Sequence, residues 1–455
     1  MGVTRDLAEF VSAATWSDFP TETIQTAKGL LLKTIAGMVV GCREPVGRTL
    51  TGYVAALGGA PEVGVVGGGF RTTAENAAWA HGTFAHSSEL EDDTFPTVMG
   101  DYWVFPALFS LGEKLVSSGR DIIEAAILGF EVGSRLCDAG SDLDRVGIVP
   151  STWLGPIATA AATAKLLRLS ADKVQTALSI ASSHGSGLTG QLGWDPHFLE
   201  TGAAQRAGVM SACLAKEGCT GRPDILELSN GIYGPVWERG KLDLSSVTAA
   251  LGRRPFAVHK VWVKKFPCCF FMHTAIDALM IIVRDQGLDV GDIHLVEVES
   301  DPDSLAFVDR MTDALTLGES RFSLQYALAE VLLKGRVDLD SFARVERLNE
   351  PLALETMSKI KLIAREDWSR LGLQAQVTVV TKDGRRLTQY LKTAIGGTDH
   401  PMTLGEIADV SRPYLDAFLP EPTSRRVEAI LLNLEEEPDV RELMNLLTFF
   451  RNTGC

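Results

Sequence analysis

The sequence predicts a mainly α protein: a large all-helical domain with a smaller α+β lid domain inserted into it. Three observations lead there. From the start to residue 255 the chain keeps apolar residues at three- and four-residue steps in alanine-rich segments. Across residues 256–395 the texture turns to valine-rich alternation and a hairpin signal. From residue 396 to 455 helical periodicity returns, and the simplest arrangement packs this last part with the first. At 455 residues the chain exceeds one ordinary core, so more than one domain is expected.

The segments in order justify each part. "TETIQTAKGLLLKTIAGMVVG" opens on Thr21, which can cap, and continues with helical spacing. "SGRDIIEAAILGFEVGSRLC" and "LGPIATAAATAKLLRLS" have the same character, as does "SADKVQTALSIASSHGSG", which starts at a serine cap. "ATAAATA" is small on all sides, as suits a buried helix in close contact with others. In the second part, residues 256–263 alternate and read as a strand, as does "IHLVEVES". "QAQVTVVTKDGRRLTQYL" places Asp383-Gly384 between two strands, a hairpin turn. Helical patterns in "CFFMHTAIDALMIIVRD" and "SLQYALAEVLLKG" lie among these strands, and "LGEIADVSRPYLDAF" and "SRRVEAILLNLEE" follow them.

Composition narrows the function. A net charge of -15 argues against a nucleic-acid surface, which needs basic patches for phosphate, yet a few lysines in a cleft still allow an anionic substrate. Every long apolar stretch is broken before membrane-span length, so no membrane is expected. The amphipathic N-terminus lacks a signal-peptide core, and the scattered cysteines without a CxxC pair read as reduced thiols, which points to the cytoplasm.

The densest chemistry lies in "HSSELEDDTF", which begins at His86. At helical spacing His86, Glu89 and Asp93 share one face, where Glu89 and Asp93 repel unless something compensates. Desolvation there raises a carboxyl's pKa, as a general acid or base requires; the alternative is a solvated helix end. A second constellation is "KVWVKKFPCCFFMH", where Lys264 and Lys265 can meet carboxylates and Cys268 and Cys269 stand before a helix. The alternative makes these cysteines and His273 core residues. A third, "GWDPHFLETGAAQRAG", sets His197 and Arg206 around a helix start. "ELEDD" lacks a second metal-binding motif, so no metal and no other cofactor is expected.

These residues are similar to the MmgE/PrpD family. The resemblance runs through "GGFRTTAENAAWAHGTFAHSSELEDD", "GPIATAAATAKLLRLSADKVQTALSIASSHGSGL", "ETGAAQRAGVMSACLAKEGCTG", the "KKFPCC" turn, "RFSLQYALAEVLLKG" and "VTVVTKDGRRLT", in order over nearly the whole chain. It implies a homodimer and a cofactor-free site between the two domains. The implied activities are 2-methylcitrate dehydration, cis-aconitate decarboxylation or iminodisuccinate epimerisation. By position, Glu89 takes the place of the family's first aspartate and Asp93 that of a Thr or His. Lys264 matches the lysine before "FP", Cys269 a His or Cys, His273 the next helix's histidine, and Tyr326 the tyrosine of "RFSLQY". Three family cations are missing. Met99, Gly100 and Asp101 replace a "HPs" histidine, Val149 stands near another, and His197 is the basic group nearest an absent lysine.

The resemblance therefore implies a cofactor-independent dehydratase for a small carboxylate with fewer acid groups than citrate; an epimerase, a decarboxylase or a silent member are the alternatives. Glu89, Asp93 and His197 would carry protons, Lys264 would bind a carboxylate, and Cys269 would complete the catalytic set. Lys265, His86, Asp101, Tyr102, Arg206, His273 and Tyr326 would hold the substrate. Glu89 and Asp93 are expected to line the cleft, with Lys264 facing them.

Overall fold

In the computed structural model, which describes residues 2–95, 98–239, 242–309, 317–369 and 372–449, the helical patterns of the first part become long buried helices. The chain divides into two compact units, Met1–Val261 with Thr403–Cys455, and Trp262–Met402.

The first unit is helical. Thr21–Gly41 packs against Ala74–Ser87, which packs in turn against Asp195–Glu217. Pro150–Leu166 lies between Asp195–Glu217 and Gly119–Ala139, and Leu404–Asp416 returns from the far end of the chain to Thr21–Gly41. Starts and stops follow local chemistry. Ser118 and Asp121 form a capping box, Pro150 opens its helix, and Gly218 closes Asp195–Glu217 in the left-handed region. Two expected caps are absent: Thr21 lies inside its helix after Pro20, and the Ser170 side chain makes no capping bond.

Close approach of two helices sets the frame of the site. A Cβ on Gly202 would stand 2.0 Å from the Trp79 carbonyl oxygen, and one on Gly82 would stand 2.9 Å from Gly202 Cα. Glycine at both positions lets Ala74–Ser87 and Asp195–Glu217 nearly touch backbones, which brings His86 near His197.

His81, on the same helix, has a purely structural role. Its Nε2 accepts the Val66 N–H at 3.1 Å, and Nδ1 lies 2.8 Å from Ser110 Oγ, which donates to the Pro106 carbonyl. Burial lowers its pKa to about 3. The unfolded chain therefore takes up a proton below about pH 6.5 that the folded chain refuses, and this contribution to stability is lost as pH falls. Thermal unfolding followed from about pH 7 to about pH 5 should show a falling midpoint, with a shallower fall in His81→Gln. An unchanged slope in that variant would remove His81 as the cause.

The second unit carries a four-stranded sheet. Ile293–Ser300 pairs in parallel with Ile360–Ala364 and antiparallel with Ala375–Thr381, and the latter pairs antiparallel with Arg386–Leu391. The expected hairpin turn is present, with Gly384 at φ 88°. His273–Gln286 and Leu324–Lys334 supply Ile276, Leu279, Leu328 and Val331 to a core shared with Val296, Val298, Val377 and Val379.

The strand expected over residues 256–263 is a correction. Ala257–Lys260 forms a 3-10 turn, and only Val261–Trp262 is extended. The Ala257 N–H donates to a Glu131 carboxylate oxygen at 2.6 Å, and His259 Nε2 meets Thr23 Oγ1 at 2.9 Å. Side chains of the helical unit thus hold Ala257–Lys260 in place of a strand neighbour.

Candidate functional site

The acidic stretch does not continue the helix. Ala74–Ser87 ends there, the Ser88 hydroxyl donates to the Ala85 carbonyl, and it accepts the Leu90 N–H. Glu89 then takes a left-handed backbone, φ 54°, a conformation that costs a non-glycine residue on the order of 1–3 kcal/mol. The shared helical face of His86, Glu89 and Asp93 is therefore corrected to a turn. The solvated helix end is excluded as well. Glu89 is 2% exposed, and Glu91, Asp92 and Asp93 are buried with it.

The chain then folds back on itself. Asp93 bridges Gly100, the Thr94 N–H donates to the Met99 carbonyl at 3.1 Å, and the Asp101 N–H donates to the Asp92 carbonyl at 3.1 Å. Only glycine fits at position 100, because a Cβ there would lie 1.9 Å from the Tyr102 ring.

Asp101 is fully buried. Thr34 Oγ1 donates to it at 2.9 Å and the Asp92 N–H at 3.2 Å. Loss of hydration pushes its carboxyl well above the usual carboxylate range, and the charge of Asp92 pushes the same way. Lys33, from the middle of Thr21–Gly41, stands 3.9 Å from Asp92, with both side chains wholly enclosed. The sequence reading missed Lys33, although a lysine inside the apolar run "LLLKTIAGMVV" was the available signal. Burial, then the charges of Asp93 and Glu91, drives the Tyr102 phenol upward, so it stays a hydroxyl.

His86 is the hub. Its ring lies 4.5 Å from the Tyr102 ring and 4.4 Å from the His197 ring, and Nδ1 meets Thr201 Oγ1 at 2.6 Å. His197, near the start of Asp195–Glu217, has Nδ1 3.5 Å from a Glu200 carboxylate oxygen. Thr201 and Glu200 follow His197 by four and three residues, on the same helical face; the sequence reading passed over both. One ligand-type atom from each of His86, Glu89 and His197 lies within 4.8 Å of the others. Two imidazoles and a carboxylate at such range can pass a proton, or hold a metal ion in the manner of a two-histidine, one-carboxylate set.

Arg206 does not join them. Nine residues beyond His197, it is about 13.5 Å further along the helix and on the opposite face. It is exposed, with its guanidinium 5.1 Å from the Trp79 ring centroid. Met99 and Val149, which stand at or near the positions of two family histidines, are buried apolar residues; Met99 Sδ lies 3.9 Å from Cys137 Sγ.

The remaining sequence candidates belong to the second unit. Lys264 is 1% exposed. Lys265 donates to Asp277 at 2.7 Å, and Asp277 also accepts the Ile395 N–H, so this lysine helps to close its own unit. Cys268 and Cys269 are buried and unbridged, and the Cys269 N–H donates to the Arg321 carbonyl. His273 stacks on Phe270 at 4.7 Å, with Nε2 3.2 Å from the Cys268 carbonyl oxygen. Tyr326 is corrected to a core residue. Its hydroxyl donates to the Ser341 carbonyl and its ring packs on Phe342.

Comparison with known proteins gives a consistent picture. The MmgE/PrpD N-terminal domain matches residues 5–244, and the MmgE/PrpD C-terminal domain matches residues 266–436. A cis-aconitate decarboxylase-like protein of Aspergillus oryzae is 28% identical, over 98% of this chain and 97% of its own length. The cis-aconitate decarboxylase of Aspergillus terreus is 25% identical, over 98% of this chain and 96% of its own. The human cis-aconitate decarboxylase is 26% identical, over 93% and 90%. Among the described residues, no helix is long and apolar enough to cross a membrane.

Proposed function

The chain belongs to the MmgE/PrpD family, and from that premise we propose that it is a cofactor-independent lyase acting on a small hydroxy-carboxylic acid. It removes a proton next to a carboxylate or carbonyl and expels water from the neighbouring carbon. The observation that carries this reading is the buried grouping of His86, Glu89 and His197, three groups able to exchange a proton away from bulk water. In the proposed step, Glu89 or Asp93 takes the α proton and the electron pair of that C–H bond becomes the new C=C bond. The hydroxyl leaves the neighbouring carbon with the C–O electrons and accepts a proton from His197, departing as water. Lys264 is proposed to bind a substrate carboxylate and to stabilise the enolate-like charge. Cys269 is proposed to complete the catalytic set.

A second reading is decarboxylation, favoured by the names of the long-covering relatives. The C–C bond to a carboxylate then breaks, carbon dioxide leaves, and the electron pair left on carbon takes a proton from the same carriers. The protein is further proposed to work as a homodimer in the cytoplasm.

One panel separates these readings. The protein is incubated with cis-aconitate, citrate, 2-methylcitrate and several β-hydroxy acids in deuterated water. Loss of water supports the dehydratase, and release of carbon dioxide supports the decarboxylase in its place. Deuterium entering substrate without elimination makes the protein an epimerase. No change in any compound overturns the enzymatic reading in favour of a silent family member.

A further inference from the structure

We propose that His86, Glu89 and His197 form a reversible binding site for a divalent cation of the zinc type, and that its occupation switches the proposed reaction off. Two imidazoles and one carboxylate make a donor set that zinc accepts, leaving a fourth position for water. The geometry is near what the ion needs. Two imidazoles on one tetrahedral zinc put their ring centroids roughly 5.2 Å apart, given Zn–N distances of about 2.0–2.1 Å; the rings of His86 and His197 are 4.4 Å apart at an interplanar angle of 70°, so they need to open by less than an ångström. The three ligand-type atoms lie within 4.8 Å of one another, and small side-chain rotations would bring them to the roughly 3.3 Å separations of a tetrahedral site.

Two further features favour a cation. His86 Nδ1 meets Thr201 Oγ1 at 2.6 Å, the outer support typical of metal-bound imidazoles, and Glu200 stands 3.5 Å from His197 Nδ1, where a small rotation would give that ring the same support. With Nδ1 so supported, Nε2 of each ring would face the ion. The surrounding backbone also buries Glu91, Asp92 and Asp93, so a divalent ion enters a region already rich in negative charge. Binding takes up the lone pairs that would otherwise carry the proton, which is why occupation inhibits. The inhibition rests on the proton-carrier reading above; the binding does not.

The test uses zinc ion and the full chain freed of metal with EDTA. Calorimetric titration should give one site, weakened about tenfold or more in each of His86→Gln, Glu89→Gln and His197→Gln, all checked for folding by circular dichroism. Absence of zinc binding, or affinity unchanged in all three folded variants, overturns the site. On whichever substrate the panel identifies, saturating zinc should abolish turnover and EDTA should restore it. Zinc bound at this site with turnover intact or raised overturns the switch, and with it the proton role of these groups. A protein inactive on the whole panel still answers the binding question.

Discussion

Glu89→Gln should lower turnover by about a hundredfold or more, the loss expected when a general acid or base becomes a neutral amide of the same shape. The fold should survive. Glutamine fills the same space, takes the left-handed backbone as readily as glutamate, and removes one charge from an enclosed acidic turn. The check is a pair of measurements on one preparation, kcat on the identified substrate and thermal unfolding. Full activity would reduce the acidic turn to a structural feature of the helix end. Lost activity with a collapsed unfolding midpoint would equally count against a chemical role, since the site would then be missing because the fold is.

Lys33→Met should cost about 3–5 kcal/mol of stability. Methionine nearly matches lysine in length and suits the apolar surroundings of Thr21–Gly41, so the cost is electrostatic. Asp92, wholly enclosed and 3.9 Å from the Lys33 ammonium, loses that partner. Adding Asp92→Asn should recover much of the loss, because removing both members of a buried pair is far milder than removing one. Denaturant unfolding of the two single variants and the double variant measures the coupling. If Lys33→Met unfolds like the parent, the pair contributes nothing, and the enclosure of Asp92 needs another account.

Several parts of this protein were legible in advance. Local patterning suffices for helices such as Gly119–Ala139, whose Ser118–Asp121 box and apolar spacing both lie within a few residues of the chain. The same holds for the hairpin at Asp383-Gly384, where a left-handed glycine between alternating strands permits little else. The strand expected over residues 256–263 failed over Ala257–Lys260 because Ala257 and His259 bond to side chains of neighbouring helices, which periodicity does not show. Arg206 failed for a simpler reason, that nine residues turn a helix half around. Tyr326 matched a family position, yet its hydroxyl goes to a backbone carbonyl of its own unit.

The sequence by itself determined the helical periodicity, the hairpin, the family likeness and the crowding of carboxylates after His86, since each depends on residues close together in the chain. Only the tertiary structure decided that the helix stops at Ser87, that Glu89 turns into the left-handed region, and that the acidic turn is buried. It alone brought His197 beside His86, through two glycines that let distant helices touch, and set Lys33 next to Asp92. The physical reason is range. Backbone preference acts over a few residues, whereas desolvation and charge pairing depend on what the folded chain places within a few ångströms.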